Sequence, residues 1–136
     1  MAYMNQERKA RIEPKIKSIL KTYGIKGSLA VRDHMTLVLN IREGAIDFIG
    51  NCNETCARDQ YQVAHGFRPV KDHIDVNPYH YDKHFSGEAR SFLDEVLAAM
   101  NDGNHDRSDP QSDYFDVGWY IDVNIGRWNK PYRLAA

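Results

Sequence analysis

Residues 114–126 read Tyr-Phe-Asp-Val-Gly-Trp-Tyr-Ile-Asp-Val-Asn-Ile-Gly. Phe115, Val117, Trp119, Ile121, Val123 and Ile125 take the odd positions; Tyr114, Asp116, Gly118, Tyr120, Asp122 and Asn124 take the even ones. Side chains alternate faces along a strand, so this period of two gathers all the large aliphatic groups, with Phe115 and Trp119, on one side. Their β-branched and aromatic character suits a pleated, half-buried surface. The stretch predicts a long strand over 114–125 with its odd face in the core and a polar even face bearing tyrosine and aspartate. Gly118 marks a bulge or a close backbone approach.

A strand this one-sided needs partners and a cover. Ile12, Ile16, Ile19, Leu20 and Tyr23 recur at helical spacing, which predicts an amphipathic helix over 5–23. Pro14 kinks that helix or starts its second half, and Gly24 suits the left-handed residue that ends it. Residues 26–32 and 36–42 alternate through Leu29 and Val31, then Leu37, Leu39 and Ile41, around the short connection Asp33-His34-Met35. That pattern predicts a hairpin, with Val38 the apolar exception on its opposite face. Ser86 as N-cap and Glu88 in the first turn open the clearest helix, 87–101, whose stripe is Ala89, Phe92, Leu93, Val96, Leu97 and Met100. The expected fold is α+β: a small antiparallel sheet of the 26–42 hairpin and the 114–125 strand, with the 5–23 and 87–101 helices packed on one face. A length of 136 residues predicts a single globular domain over 1–136. Between 43 and 85 the signals thin out: Asn53 reads as the cap of a helix over 55–63, and 72–77 as a short edge-type strand ended by Pro78.

Composition narrows the class. The 42% hydrophobic and 27% charged fractions are those of an ordinary globular chain. No apolar run approaches the roughly 20 residues of a membrane span, the polar start carries no secretory signal, and Cys52 and Cys56 are too few for a disulfide framework. A reducing, cytoplasmic setting is expected, with no membrane partner. Charge is uneven: residues 1–42 hold nine Lys/Arg against three Asp/Glu, and residues 72–122 hold three against twelve. Such polarity fits a charged partner or two oppositely charged faces that attract within the fold.

Chemical motifs are sparse. Cys52 and Cys56 stand four apart, but a structural zinc needs four ligands, and His65 and His73 would have to complete the set. His80 and His84 flank Asp82, yet Pro78 and Ser86-Gly87 place them in a loop, where that spacing carries no meaning. Gly103-Asn104-His105-Asp106 matches the G-N-H-[DE] element of metallophosphoesterases, but the D-x-H and G-D-x-x-D that complete a two-metal clamp do not occur. Phosphate-cradling, dinucleotide, zinc-protease and nucleophile-elbow motifs are also missing. No catalytic residue, metal or cofactor is expected, and the balance leans against an enzyme.

The run over 28–41, Ser-Leu-Ala-Val-Arg-Asp-His-Met-Thr-Leu-Val-Leu-Asn-Ile, followed after a helix by the run over 113–132, resembles small proteins of bacteriophages and integrative elements. The layout is similar to the large polyvalent protein-associated domains of mobile elements. Those groups have no defined catalytic motif, so no catalytic residue carries over. The resemblance implies a mobile-element product in the cytoplasm of a bacterial host, of the sort used against restriction or CRISPR systems.

The expected function is a non-catalytic protein that binds the basic surface of a host protein, as an anti-CRISPR or antirestriction inhibitor does. Its contact residues are Tyr114, Asp116, Tyr120 and Asp122 on the even face, with Asp106, Asp109 and Asp113 in the loop beside it. Carboxylates complement Arg/Lys grooves, and tyrosines supply anchors with a polar tip. The plain alternative is that the even face is covered and its acids pair with Arg or Lys. A second class is a nucleic-acid accessory protein using the basic helix (Arg8, Lys9, Arg11, Lys15, Lys17, Lys21) and Arg32, against which an isoelectric point of about 6.6 counts. A third is a small metal-dependent enzyme using His73, His80, His84 and His105.

Overall fold

The computed structural model describes residues 3–58, 63–64, 66, 69–70, 72–104, 118–127 and 129–134. Along the chain run α1 (Gln6–Thr22), β1 (Ile25–Arg32), β2 (Thr36–Gly44), α2 (Phe48–Arg58), β3 (Ile74–Val76), a 3-10 turn (Tyr81–Lys83), α3 (Gly87–Met100), β4 (Tyr120–Ile125) and β5 (Arg133–Leu134).

Helix α1 starts where Asn5 Oδ1 accepts the Arg8 N–H at 2.8 Å, satisfying one of the unpaired donors of a first turn. It runs unbroken through Pro14. Pro14 removes the donor that the Ala10 carbonyl would use, but both residues are exposed, so water can take its place. Gly24, at φ +67, ends the helix as expected. In the hairpin, Asp33 and His34 both take positive φ, the mirror-image turn that matches strand twist. The N-terminal segment ties down this turn: Met4 N–H donates to His34 O at 2.8 Å, and Tyr3 N–H donates to Gly118 O at 2.8 Å.

The strand order is β1-β2-β4-β3. β1 and β2 are antiparallel, as are β3 and β4, but β2 and β4 run parallel, from Thr36 opposite Tyr120 to Ile41 opposite Ile125. The sheet is therefore mixed, which corrects the all-antiparallel expectation. After β2 the chain passes through α2 and α3 before entering β4 in the direction of β2, and a parallel pair requires such a crossover. Of the strand expected over 114–125, the described part is Tyr120–Ile125; Phe115 and Val117 lie outside the described residues.

The core is α+β in kind. Leu37, Leu39 and Ile41 of β2 and Val123 and Ile125 of β4 are buried in one cluster with Ile12, Ile16 and Leu20 of α1 and Phe92, Leu93, Val96 and Met100 of α3. The short strand β3 lies beyond β4, where its burial alternates through Ile74 and Val76. Phe48 of α2 joins the core through ring contacts with Phe85, Phe92 and Tyr132 at 6.2, 5.6 and 5.5 Å. Tyr132 donates its hydroxyl to Ile46 O at 2.6 Å, and burial pushes its phenol well above the ordinary value.

Two capping assignments change. Of the helix expected over 55–63, residues 55–58 belong to α2, which begins earlier, at Phe48; residues 63–64 are helical as well, and 59–62 lie outside the described residues. Asp47 rather than Asn53 sits at the start of α2, accepting the Gly50 N–H at 2.9 Å. Asn53 instead clips Val70 from within the helix, donating to its carbonyl and accepting its N–H, each at 2.8 Å. Ser86 occupies the N-cap position of α3 without bonding a helix N–H. Its hydroxyl meets Thr55 Oγ1 at 3.1 Å and accepts from Asn51 Nδ2 at 3.3 Å.

Cys52 and Cys56 share the buried face of α2. Burial, with Cys56 adjacent, pushes the Cys52 thiol up to about 12. Because the thiolate is the nucleophile, both cysteines of the folded protein are expected to resist a thiol-reactive dye at about pH 8 and to label fully in denaturant. Equal labelling rates in the two states would show that α2 is not packed as described.

Candidate functional site

Opposite the helices the sheet presents three cross-strand rows: Arg32, Thr36 and Tyr120; Ala30, Val38 and Asp122; Ser28, Asn40 and Asn124. Thr36 and Val38 are buried, and the other residues of these rows are exposed or half-buried. Asp122 Oδ2 meets Arg32 Nη1 at 2.9 Å. Asn124 Nδ2 donates to Asn40 Oδ1 at 3.2 Å and lies 3.5 Å from Asp122 Oδ2.

Among the described residues Tyr120 is the exposed aromatic of this face, at 45%. Its backbone is held from both sides. Its own N–H donates to Met35 O at 2.9 Å, and the preceding Trp119 is turned inward and buried, its Nε1–H donating to Met100 O at 3.0 Å. Asn104 clamps Trp119 further, accepting the Trp119 N–H and donating to its carbonyl, both at 2.9 Å. That is the work Asn104 does within the G-N-H-D element. The result is an exposed ring on a fixed strand.

Of the expected contact residues, the structure places Tyr120 and Asp122 side by side on this face. Tyr114, Asp116, Asp106, Asp109 and Asp113 lie outside the described residues. Asp122 already has a cationic partner in Arg32, so the pairing half of the plain alternative holds for this acid, while Tyr120 beside it stays exposed. With the two side chains 25% and 56% exposed, such a pair contributes about 0–1 kcal/mol, and its main effect is to hold both groups in place. Sequence reading missed Arg32, Asn40 and Asn124 as members of the cluster. Their polarity at even positions was visible, but the partners lie 84 and 90 positions apart, and only the parallel register brings them together.

The basic helix is partly engaged by its surroundings. Lys9 and Lys17 both lie against Glu13, at 3.8 and 3.6 Å. Arg8 donates to Tyr3 O at 2.8 Å and stacks over the Tyr3 and Trp119 rings at 5.4 and 5.8 Å. Arg11 donates to Asp102 O at 3.1 Å, just past the C-terminus of α3, where the helix dipole favours a cation. Lys15 and Lys21 are exposed.

His73 and His80 are exposed and His84 is half-buried on the turn before α3; His65 and His105 lie outside the described residues. Among the described residues, no group of three or more His, Cys, Asp or Glu is placed to hold a metal ion. No described helix is long and apolar enough to cross a membrane.

No family model, curated protein or solved structure matches the chain. The outer face has to be read from its own chemistry. It offers an exposed aromatic on a fixed backbone, a compensated ion pair and amide groups on a small apolar floor of Ala30 and Val38. Such a surface can bind; the described part of it presents no nucleophile paired with a base.

Proposed function

We propose that this chain is a non-catalytic binding protein and that the outer sheet face centred on Tyr120 is its contact surface for another protein. The observation that carries this reading is the exposed Tyr120 ring on a backbone fixed by Met35, Trp119 and Asn104. An aromatic anchor on a backbone already fixed before binding has less main-chain freedom to lose on association, and tyrosine is enriched among residues that dominate interfaces. The resemblance to small phage and mobile-element proteins supports a bacterial host protein as partner, in a restriction or CRISPR system. The acids around Tyr120 in the sequence, Asp106, Asp109, Asp113 and Asp116, favour a basic surface on that partner. Arg8 and Arg11 bond groups outside the helix, and Glu13 offsets part of the charge of Lys9 and Lys17, which counts against α1 as a nucleic-acid-binding helix.

A photo-crosslinking residue in place of Tyr120, expressed in the bacterial host, should capture one partner that the same residue in place of exposed Ala10 on α1 does not. With that partner purified, Tyr120→Ala should weaken binding by about 2 kcal/mol, chiefly through faster dissociation, and leave the melting temperature nearly unchanged. Unchanged affinity in Tyr120→Ala would remove this face from the interface. Identical capture from both positions would remove the reading itself.

A further inference from the structure

The end of the outer face away from Tyr120 has a different character. Where β4 finishes, Gly126 N–H donates to Ile41 O at 2.8 Å, and the chain then folds back on itself. Arg127 N–H donates to Lys130 O at 2.8 Å and Lys130 N–H to Arg127 O at 3.1 Å, closing a tight turn. Residues exchanging both bonds lie directly opposite each other, so their side chains share one side of the ladder. Two cations placed this way repel, a net cost to the fold. The neighbouring strand brings a third, Arg42. Between them lies a cavity of about 170 Å³ lined by Ser28, Asn40, Arg42, Gly126, Arg127 and Lys130.

The polar groups of this cavity are nearly all donors. Arg42 and Arg127 present guanidinium forks and Lys130 an ammonium, none of which can accept. Asn40 already uses its Oδ1 to accept from Asn124, which leaves its NH2 as the remaining donor. Ser28 adds a hydroxyl. Among the described residues no carboxylate lines the cavity. Arg42 is 4.0 Å from Glu43, whose carboxylate also faces Lys26 at 3.9 Å; Arg127 and Lys130 have no ion pair among the described residues.

We propose that this cavity is a binding site for a phosphoryl group. Guanidinium forks match phosphate oxygens two at a time, and an ammonium adds a point charge. An anion seated here would attract both cations and offset the Arg127/Lys130 repulsion. The volume is below the roughly 300–1,000 Å³ of sites that enclose whole small molecules, so the site takes one tetrahedral anionic group and leaves the rest of the ligand outside. That group is either inorganic or monoester phosphate, or one phosphodiester of a nucleic-acid strand. The site does not involve Tyr120; it shares Ser28 and Asn40 with the far end of the outer face.

The test is an amide-resolved NMR titration of the full chain with inorganic phosphate, ionic strength held constant with chloride, alongside polarisation of a labelled short single-stranded DNA. Phosphate should shift the Arg42, Gly126, Arg127 and Lys130 amides saturably. The double variant Arg127→Ala/Lys130→Ala should weaken binding about ten-fold or more, while Lys130→Arg, which keeps the charge, retains it. Both altered side chains are exposed, so an unchanged melting temperature confirms that the fold is kept. DNA binding that phosphate competes away, and that the double variant loses, identifies a phosphodiester as the source; phosphate binding without DNA binding identifies the free or monoester group. The proposal is overturned if neither probe binds saturably, or if both bind the double variant as well as the parent.

Discussion

Trp119→Ala is expected to lower folding stability by about 3–5 kcal/mol, the range for emptying a large aromatic site in a packed core. The indole is 3% exposed and stands at the junction of α1, α3 and β4. Its removal leaves Met100 O, in the last turn of α3, without the Nε1–H donor, where helix carbonyls already lack partners. It also removes one of the two rings under Arg8. Trp119→Phe should fill part of the space and lose the hydrogen bond, so its loss should be smaller. Urea unfolding of the two variants measures the difference. A loss below about 1 kcal/mol for Trp119→Ala would mean that the indole is not part of the core.

Gly126→Ala is expected to be nearly as damaging for a different reason. Gly126 sits at φ +72, and a Cβ there would lie 2.5 Å from Tyr132 N and 2.8 Å from Asp72 O. Those two atoms are hydrogen-bonded to each other at 2.8 Å. The added methyl must therefore push apart two backbone segments and the bond between them, at about 3 kcal/mol or more once backbone strain and overpacking combine. Gly87→Ala is the informative control. Its φ is +58, but nothing lies within 4 Å of the added carbon, so only the conformational term of about 1–2 kcal/mol applies. Equal losses in the two variants would show that crowding at Gly126 is relieved cheaply. A large loss at Gly126 alone would establish that the closure beside the Arg127/Lys130 turn depends on glycine.

The elements that were legible beforehand are those whose periodicity is long and uninterrupted. Ile12, Ile16 and Leu20 mark α1, and Phe92, Leu93, Val96 and Met100 mark α3, because burial on one side of a helix repeats over several turns. The hairpin was legible from strict alternation around a short turn. What was not legible depends on partners distant in sequence. Parallel and antiparallel pairing of β4 present the same odd and even faces, so the alternation that identified the strand says nothing of its direction. Asn53 and Asp47 are both cap-type residues, and only the packing of Phe48 and Cys52 decides which one begins α2. For the outer face, Tyr120 was identified as an exposed anchor from its even position, whereas the compensation of Asp122 by Arg32 needed the register. The cationic cavity left no motif at all, since Arg42 and the Arg127/Lys130 turn meet only through the β2–β4 pairing and the return at Gly126.

The place of β4 in the sheet also bears on how the protein is made. β2 acquires β1 almost at once through a short turn, but its other partner begins at Tyr120, opposite Thr36 and 84 positions further along. Long-range parallel pairing is the slow part of building a sheet. At ribosomal rates of roughly 5–20 residues per second, the newly made hairpin waits on the order of 4–17 s for that strand to be synthesised. Throughout that interval the edge of β2 bearing Leu37, Leu39 and Ile41 has unpaired backbone groups, a template for joining other chains. Shielding that one edge until translation reaches β4, which is what chaperones do for transiently exposed strands, is therefore expected to raise the yield of folded protein.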